Sequence, residues 1–461
     1  MKIEGRKALV LGAGKSGIAS AKFLAERGAI VALHDKKEIE SWSDAARSLK
    51  ETHNVGLIGG QIPSWLLDQI DLVVISPGVP TNTIPARYVD RMDGEVIGEV
   101  ELAYRFMKGR IAGITGSNGK TTTTTLIGEL LRNGGIEMQI GGNIGTPLLS
   151  LAEASTDNSW TIVELSSFQL ETIKEFHANI AICLNVTPNH LDRYDSFTDY
   201  ATAKHRIFSN QTADDLAVLN AEDEITADWA KGLNASVTMF SSKRDLDAGL
   251  FLRGRDLICR NGEKEKVLTT RDEIFLQGLH NVENVLAALA AGLACGVSPE
   301  SMRETIRNFH GVEHRIEFVR EIEGVKFFND SKATSVDATV KALEALAESD
   351  GKTVLILGGR GKNAPYKPLA ALIESSVRRL VVIGEDGDNI ESQLQGYAAI
   401  IRAGSMEDAV RNGFEGALSG DSVLLAPACA SFDMFTSYEE RGRSFKSAVD
   451  SLKGTERKAK A

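Results

Sequence analysis

The sequence predicts an α/β protein of three domains: an N-terminal Rossmann-like domain, a central domain built on a P-loop ATPase-like parallel sheet, and a C-terminal Rossmann-like domain. Three observations carry this. Short apolar runs alternate with helix-patterned stretches, the arrangement of strand–helix–strand units. Many of those runs end in glycine or proline, as strands do beside a ligand crevice. The chain has 461 residues, too many for one hydrophobic core.

Taken in order, Lys7–Gly12 (KALVLG) reads as a buried strand, Ser16–Arg27 as a helix and Ala29–His34 as the next strand. Leu72–Ser76 (LVVIS) is a further strand that stops at Pro77-Gly78. A helix near Glu99 (VELAYRFM) opens the second segment, with strands at Arg110–Thr115, Thr161–Glu164 and Ile180–Asn185. The alanine-rich stretch Val282–Cys295 is apolar nearly all round and predicts a buried helix. In the third segment the strand VKFFN is followed by Thr353–Leu357, Leu380–Ile383 and Ser422–Leu425. The domains are expected at 1–98, 99–311 and 312–461, with a frayed basic tail at Lys453–Ala461.

Bulk properties remove several functions. A formal net charge of −11 disfavours a nucleic-acid binder, which needs a basic face. Cys183, Cys259, Cys295 and Cys429 lie far apart, so neither a disulfide framework nor a cysteine zinc site is expected. No stretch approaches the ~20 apolar residues that span a bilayer, and the N-terminal apolar run is too short for a signal peptide. A soluble, cytoplasmic monomer with no nucleic-acid or membrane partner is expected.

The strongest motif is Gly113-Ile-Thr-Gly-Ser-Asn-Gly-Lys-Thr-Thr122, between a strand and a helix start. Its glycines let the backbone aim several N–H groups at one anion, and the helix N-terminus adds its dipole. Gly116, Ser117, Asn118, Gly119 and Thr122 would cradle the phosphates of ATP. Lys120 would reach the β/γ-phosphates, and the Thr121 hydroxyl would hold Mg²⁺. Against the usual G-x-x-x-x-G-K-[ST], Gly113 comes one position early and Ile114 takes the glycine's place. An ordinary glycine turn capping a helix is the bland alternative.

Other positions carry chemistry less forcefully. Gly12-Ala-Gly-Lys-Ser-Gly17 with Asp35 fits a dinucleotide loop with a ribose carboxylate, which leaves a nicotinamide oxidoreductase open. Glu164, just past a strand, is placed for Mg²⁺ or simply solvated. His190 in its polar loop is a ligand or a loop cap. Lys204 in YATAKHR is on composition a surface lysine. Asn143 in Gly141-Gly-Asn-Ile-Gly145 reads as a turn, and Asn281 with Asn284 as one face of a helix start. A nucleotide-binding regulator without catalysis would not need Glu164 and His190.

The loop GITGSNGKTTT resembles that of the Mur ligases and folylpolyglutamate synthetase, which departs from the standard spacing in the same way. The resemblance extends in order through ELSSFQLE, NVTPNHLDR, GLHNVEN, His314-Arg315, NDSKATS and PACASFD, so it covers essentially the whole chain. It is strongest toward the branch that adds D-glutamate to UDP-N-acetylmuramoyl-L-alanine in peptidoglycan precursor synthesis. It implies an ATP-dependent, ADP-forming ligase with two Mg²⁺ sites, served by Thr121, Glu164, His190 and a carbamylated Lys204. By the same resemblance, Asn281 and Asn284 face adenine, Arg315 and Lys332 the phosphates, and Asp330 the ribose. Gly14, Lys15, Ser16, Asp35, Ser76, Gly78 and Asn143 bind the UDP substrate. Thr334, Lys362, Ser431 and Tyr438 bind D-glutamate. Two positions depart from the family pattern: Ala426 replaces a serine, and Arg360 stands where an aspartate is common, adding positive charge near Lys362.

Overall fold

The structure, a computed structural model, describes residues 1–91, 95–143, 145–188, 193–276, 278–346, 351–361 and 365–452. The tail expected to fray lies outside them. The chain divides into two compact units, Met1–Phe309 and His310–Ala461, and the first unit holds two sheets.

The first sheet contains β1 (Lys7–Leu11), β2 (Ile30–Asp35), β3 (Gly56–Gly59), β4 (Leu72–Ile75) and β5 (Val96–Gly98), all parallel, in the order β3-β2-β1-β4-β5. The chain moves outward from β1 to β3 and then returns to the other side of β1. That reversal opens a crevice at the carboxyl ends of β1 and β4, where Gly12 and Ser76 sit. The helix Lys15–Glu26 starts there, as the glycine pattern required.

The second sheet has nine strands: β6 (Arg110–Thr115), β7 (Met138–Gly142), β8 (Trp160–Glu164), β9 (Ile180–Cys183), β10 (Leu216–Asn220), β11 (Ser236–Ser241), β12 (Gly249–Arg253), β13 (Asp256–Asn261) and β14 (Lys264–Thr270). Their order is β14-β13-β12-β11-β10-β9-β6-β8-β7. The strands from β7 to β12 pair in parallel, whereas β12, β13 and β14 form an antiparallel extension. Two-residue turns make this possible: Gly254-Arg255 and Gly262-Glu263 put glycine at φ +60° and +62°, the geometry that tight hairpins need. The second switch point falls at β6, flanked by β8 and β9, and the phosphate loop leaves from it.

The alanine-rich helix runs over Leu279–Ala294, three residues earlier than its apolar pattern suggests, and packs on the helix Lys120–Asn133 that follows the loop. Small side chains let the two backbones approach. The first sheet is tied to the second through the helix Glu99–Tyr104. The buried Glu101 carboxylate accepts from the amides of Lys174 (2.7 Å) and Phe176 (3.0 Å) and from Arg105 Nε (2.9 Å). Glu99 accepts from the Leu149 amide at 2.7 Å, and burial pushes its carboxyl up to about 7.

The second unit holds β15 (Glu317–Ile322), β16 (Val325–Asn329), β17 (Thr353–Gly358), β18 (Val377–Ile383), β19 (Ala399–Arg402) and β20 (Ser422–Leu425). Their order is β15-β16-β20-β17-β18-β19, parallel except for the β15/β16 hairpin. Among the described residues, no helix is long and apolar enough to cross a membrane.

Candidate active site

The phosphate loop leaves β6 at Thr115 and turns through Gly116 (φ +150°) and Gly119 (φ +83°) into its helix. The positive φ favours glycine at 119, and a Cβ there would also displace the Asn284 side chain, whose Oδ1 would lie 2.2 Å away. The segment after β9 scaffolds the loop. Asn185 accepts from the Ser117 amide through its carbonyl (3.0 Å) and from the Asn118 amide through Oδ1 (2.8 Å). Ser117 Oγ donates to the Thr187 carbonyl at 3.0 Å and lies 2.9 Å from the Tyr200 hydroxyl. No local pattern marks Asn185 or Tyr200 for this work, since their partners are 67 and 83 residues away.

Two lysines converge on the loop. Lys120 Nζ donates to the carbonyls of Gly116 (2.8 Å) and Ser117 (3.0 Å). Lys204 Nζ donates to the same Gly116 carbonyl at 2.8 Å. Lys204 lies on the helix Phe197–His205, yet it is only 2% exposed, so the surface-lysine alternative fails. Burial first, and the Lys120 charge second, bring its amine down to about 7. A lysine at that value is largely available as the neutral amine near neutral pH.

Glu164 ends β8, and its neighbour across the sheet is Ile114 on β6, so it stands beside the loop. Its Oε1 accepts from Asn143 Nδ2 at 2.8 Å, and its backbone carbonyl accepts from the Asn143 amide at 2.8 Å. Oε2 is buried and, among the described residues, has no hydrogen-bond partner. A carboxylate oxygen left in that state is costly unless a cation meets it. With Thr121, which is 4% exposed at the helix start, it fits the oxygen-ligand chemistry of Mg²⁺. His190 lies outside the described residues. Among the described residues no three His, Cys, Asp or Glu side chains form a metal cluster.

On the far side of the loop, Asn284 Nδ2 donates to Asn281 Oδ1 (3.1 Å) and Asn284 Oδ1 accepts from Thr123 Oγ1 (3.3 Å). Asn284 is buried and braces the loop's helix, while Asn281 is half-buried at the helix start.

At the first switch point Gly14 and Lys15 are exposed, and Ser16 is half-buried. Gly17 has no alternative, since a Cβ there would sit 1.8 Å from the Gly12 carbonyl oxygen. Ser76 Oγ donates to that carbonyl at 3.4 Å, and Gly78 is exposed in the turn beyond. Asp35, read from the sequence as a ribose ligand, is already engaged. Its oxygens accept from the amides of Ala13 (2.9 Å) and Lys37 (3.1 Å). Burial alone would raise its carboxyl, but those amides together with the charges of Lys37 and His34 outweigh burial and hold it below the usual range.

In the second unit, Asp330 follows β16 and is 6% exposed. Burial pushes it up to about 6 against the opposing pull of Arg315, the Ile316 amide and Lys332. The Lys332 amide donates to the His314 carbonyl (3.1 Å), and the Thr334 amide to that of Lys332 (2.8 Å). Tyr438 accepts through its carbonyl from Ser331 Oγ at 2.7 Å, and burial followed by Glu439 raises its phenol to about 12. Arg441, 1% exposed, donates to Ser331 Oγ (3.0 Å), the Ser331 carbonyl (2.9 Å) and the Cys429 carbonyl (3.1 Å). It therefore joins the loop after β16 to the loop after β20, which carries the buried Ser431. Arg360, whose extra charge stood out in the sequence, donates to Glu385 Oε2 at 2.9 Å, so its charge is offset locally. Lys362 lies outside the described residues.

Comparison with known proteins matches three family models in chain order: an N-terminal Mur ligase domain at residues 6–98, the Mur ligase middle domain at 114–292, and the Mur ligase glutamate ligase domain at 314–429. The chain is 47% identical over 98% of its length, and 99% of the relative's, to the UDP-N-acetylmuramoylalanine–D-glutamate ligase of Solibacter usitatus. It is 43% identical to the protein of the same name from Koribacter versatilis, over 99% of this chain and 100% of that one. Among solved structures it resembles the UDP-N-acetylmuramate-alanine ligase of Thermotoga maritima, with a TM-score of 0.53 and 20% identity over 97% of this chain and 100% of that one. At that identity the structural likeness speaks to the fold.

Proposed function

The chain belongs to the Mur ligase family, and from that premise we propose that it joins D-glutamate to UDP-N-acetylmuramoyl-L-alanine, with hydrolysis of ATP to ADP and phosphate. The observation that carries the chemistry is the convergence of Lys120 and Lys204 on the Gly116 carbonyl, beside the open oxygen of Glu164. The choice of D-glutamate rests on the names of the relatives and on the PACASFD segment.

The acceptor carboxylate must attack the γ-phosphate to give an acyl phosphate, which the amine of D-glutamate then displaces. Both partners in the first step are anions. One pair of charges ~4 Å apart repels by about 4 kcal/mol at an effective dielectric of 20, and a triphosphate presents several such pairs. Lys120 and the loop N–H groups offset that repulsion and hold the phosphate in line. Thr121 and Glu164 would hold Mg²⁺, which when bound supplies further neutralising charge; His190 and a carbamylated Lys204 would serve a second ion. By the family resemblance, Arg315, Asp330 and Lys332 serve ATP, and Thr334, Lys362, Ser431 and Tyr438 serve D-glutamate. Residues 1–98 serve the UDP substrate, 99–311 ATP and 312–461 the amino acid, in a cytoplasmic monomer.

Phosphate release with UDP-N-acetylmuramoyl-L-alanine, ATP and Mg²⁺ tests the reading. Release that depends on D-glutamate supports it. Release that depends instead on a diamino acid, or on L-alanine with the unextended nucleotide, would move the chain to another branch of the family.

A further inference from the structure

We infer that Arg193 is a positioning residue that fastens the sugar-nucleotide loop of the first sheet to the phosphate-loop side of the site. The inference rests on the function proposed above and adds a residue to which that reading gives no role. Val79 closes the Ser76-Pro-Gly-Val79 turn after β4. Arg193, 114 residues on, donates from Nη2 to the Val79 carbonyl at 3.2 Å. The same guanidinium lies 4.0 Å from the centre of the Phe168 ring.

The contacts continue inward. Phe168 stacks with Tyr194 at 5.8 Å and 13°, and Tyr194 donates to Glu171 Oε1 at 2.5 Å. Tyr194 meets Tyr200 edge-on at 5.4 Å, and Tyr200 reaches Ser117 Oγ of the phosphate loop at 2.9 Å. Every link lies within the unit Met1–Phe309. Phe168, Ser76, Val79 and Gln169 also line a cavity of about 10 Å³, room for one water, so the strand ends meet here with little slack.

The chemistry gives this chain of contacts its purpose. The acceptor carboxylate is carried by a nucleotide held on the first sheet, whereas the γ-phosphate is held on the second. The reacting atoms must come within ~3–3.5 Å, so an error in the placement of one loop against the other becomes an error in attack. A guanidinium can stack on a ring and donate to a carbonyl at once. A lysine ammonium keeps the charge but not the planar fork.

Steady-state kinetics of full-length Arg193→Lys test this, with the melting temperature measured alongside. We expect kcat/KM for UDP-N-acetylmuramoyl-L-alanine to fall ~10-fold or more, with the KM for ATP within about twofold and the melting temperature unchanged within ~2 °C. Phe168→Leu removes the stacking face, leaves the Val79 bond, and should shift the same constant in the same direction; it decides the matter if Arg193→Lys does not fold. Unchanged kcat/KM for the nucleotide would overturn the inference. So would a fall in that constant accompanied by equal losses in ATP affinity and melting temperature, since that marks general loosening. Absence of D-glutamate-dependent turnover in the wild type would instead remove the proposed function itself.

Discussion

Lys120→Ala is expected to lower D-glutamate-dependent phosphate release ~1000-fold or more, while the KM for the sugar nucleotide stays within about threefold. The size follows from one lost cation at ~4 Å: about 4 kcal/mol at an effective dielectric of 20 is close to three decades in rate. Lys120 Nζ rests on the carbonyls of Gly116 and Ser117, which are weak, neutral acceptors. A triphosphate would offer it anionic oxygens within the same loop. Alanine leaves the loop's scaffold from Asn185 and Tyr200 intact, and the loss should appear in turnover rather than in folding. A stopped-flow or coupled phosphate assay reads it, and wild-type turnover in the variant would contradict the assignment of the loop.

Lys204→Met is expected to cost ~100-fold or more in turnover, by removing a group that holds charge around the phosphates. The lysine's value lies in its burial. Brought down to about 7, its amine is roughly half neutral at pH 7, whereas an ordinary lysine is neutral to well under ~0.1%. The neutral amine can add to carbon dioxide, forming the N–C bond of a carbamate and releasing one proton. Because the folded value is lowered, the reactive form is present above about pH 7 and is lost as pH falls. At a fixed concentration of dissolved carbon dioxide, the rate of reactivation after its removal should therefore fall as pH drops through 7, approaching ~10-fold per unit well below that value. Carbon-13 NMR with labelled bicarbonate at pH 8 should show a carbamate signal in the wild type and none in Lys204→Met. Equal turnover and no signal in either protein would contradict this role.

The parts of the site that the sequence announces are those made by local backbone. Gly17, Gly116 and Gly119 are called for by close contacts or positive φ, so their spacing alone marks both loops. Lys204 could not be placed that way. The helix FTDYATAKH has no clear apolar face, and only packing around the Gly116 carbonyl buries the amine. At Asp35 the motif marks a carboxylate, and the structure adds what no motif records: its oxygens accept from the amides of Ala13 and Lys37. The antiparallel extension after β12 is not announced by the sequence: its two turns carry glycine only at their first position, Gly254 and Gly262, and its charged strand Lys264–Thr270 hides the alternation that marks a half-buried strand. Arg441 lies 110 residues from its partner Ser331, and no local pattern records such a contact.

The central claim is that cations gathered at the phosphate loop let a carboxylate attack the γ-phosphate. Label transfer tests it most directly. UDP-N-acetylmuramoyl-L-alanine carrying ¹⁸O in the alanyl carboxylate, turned over with ATP and D-glutamate, should yield inorganic phosphate containing one ¹⁸O atom by mass spectrometry. Phosphate released without label, at full turnover, would show that the carboxylate never bonded to phosphorus and would contradict the account.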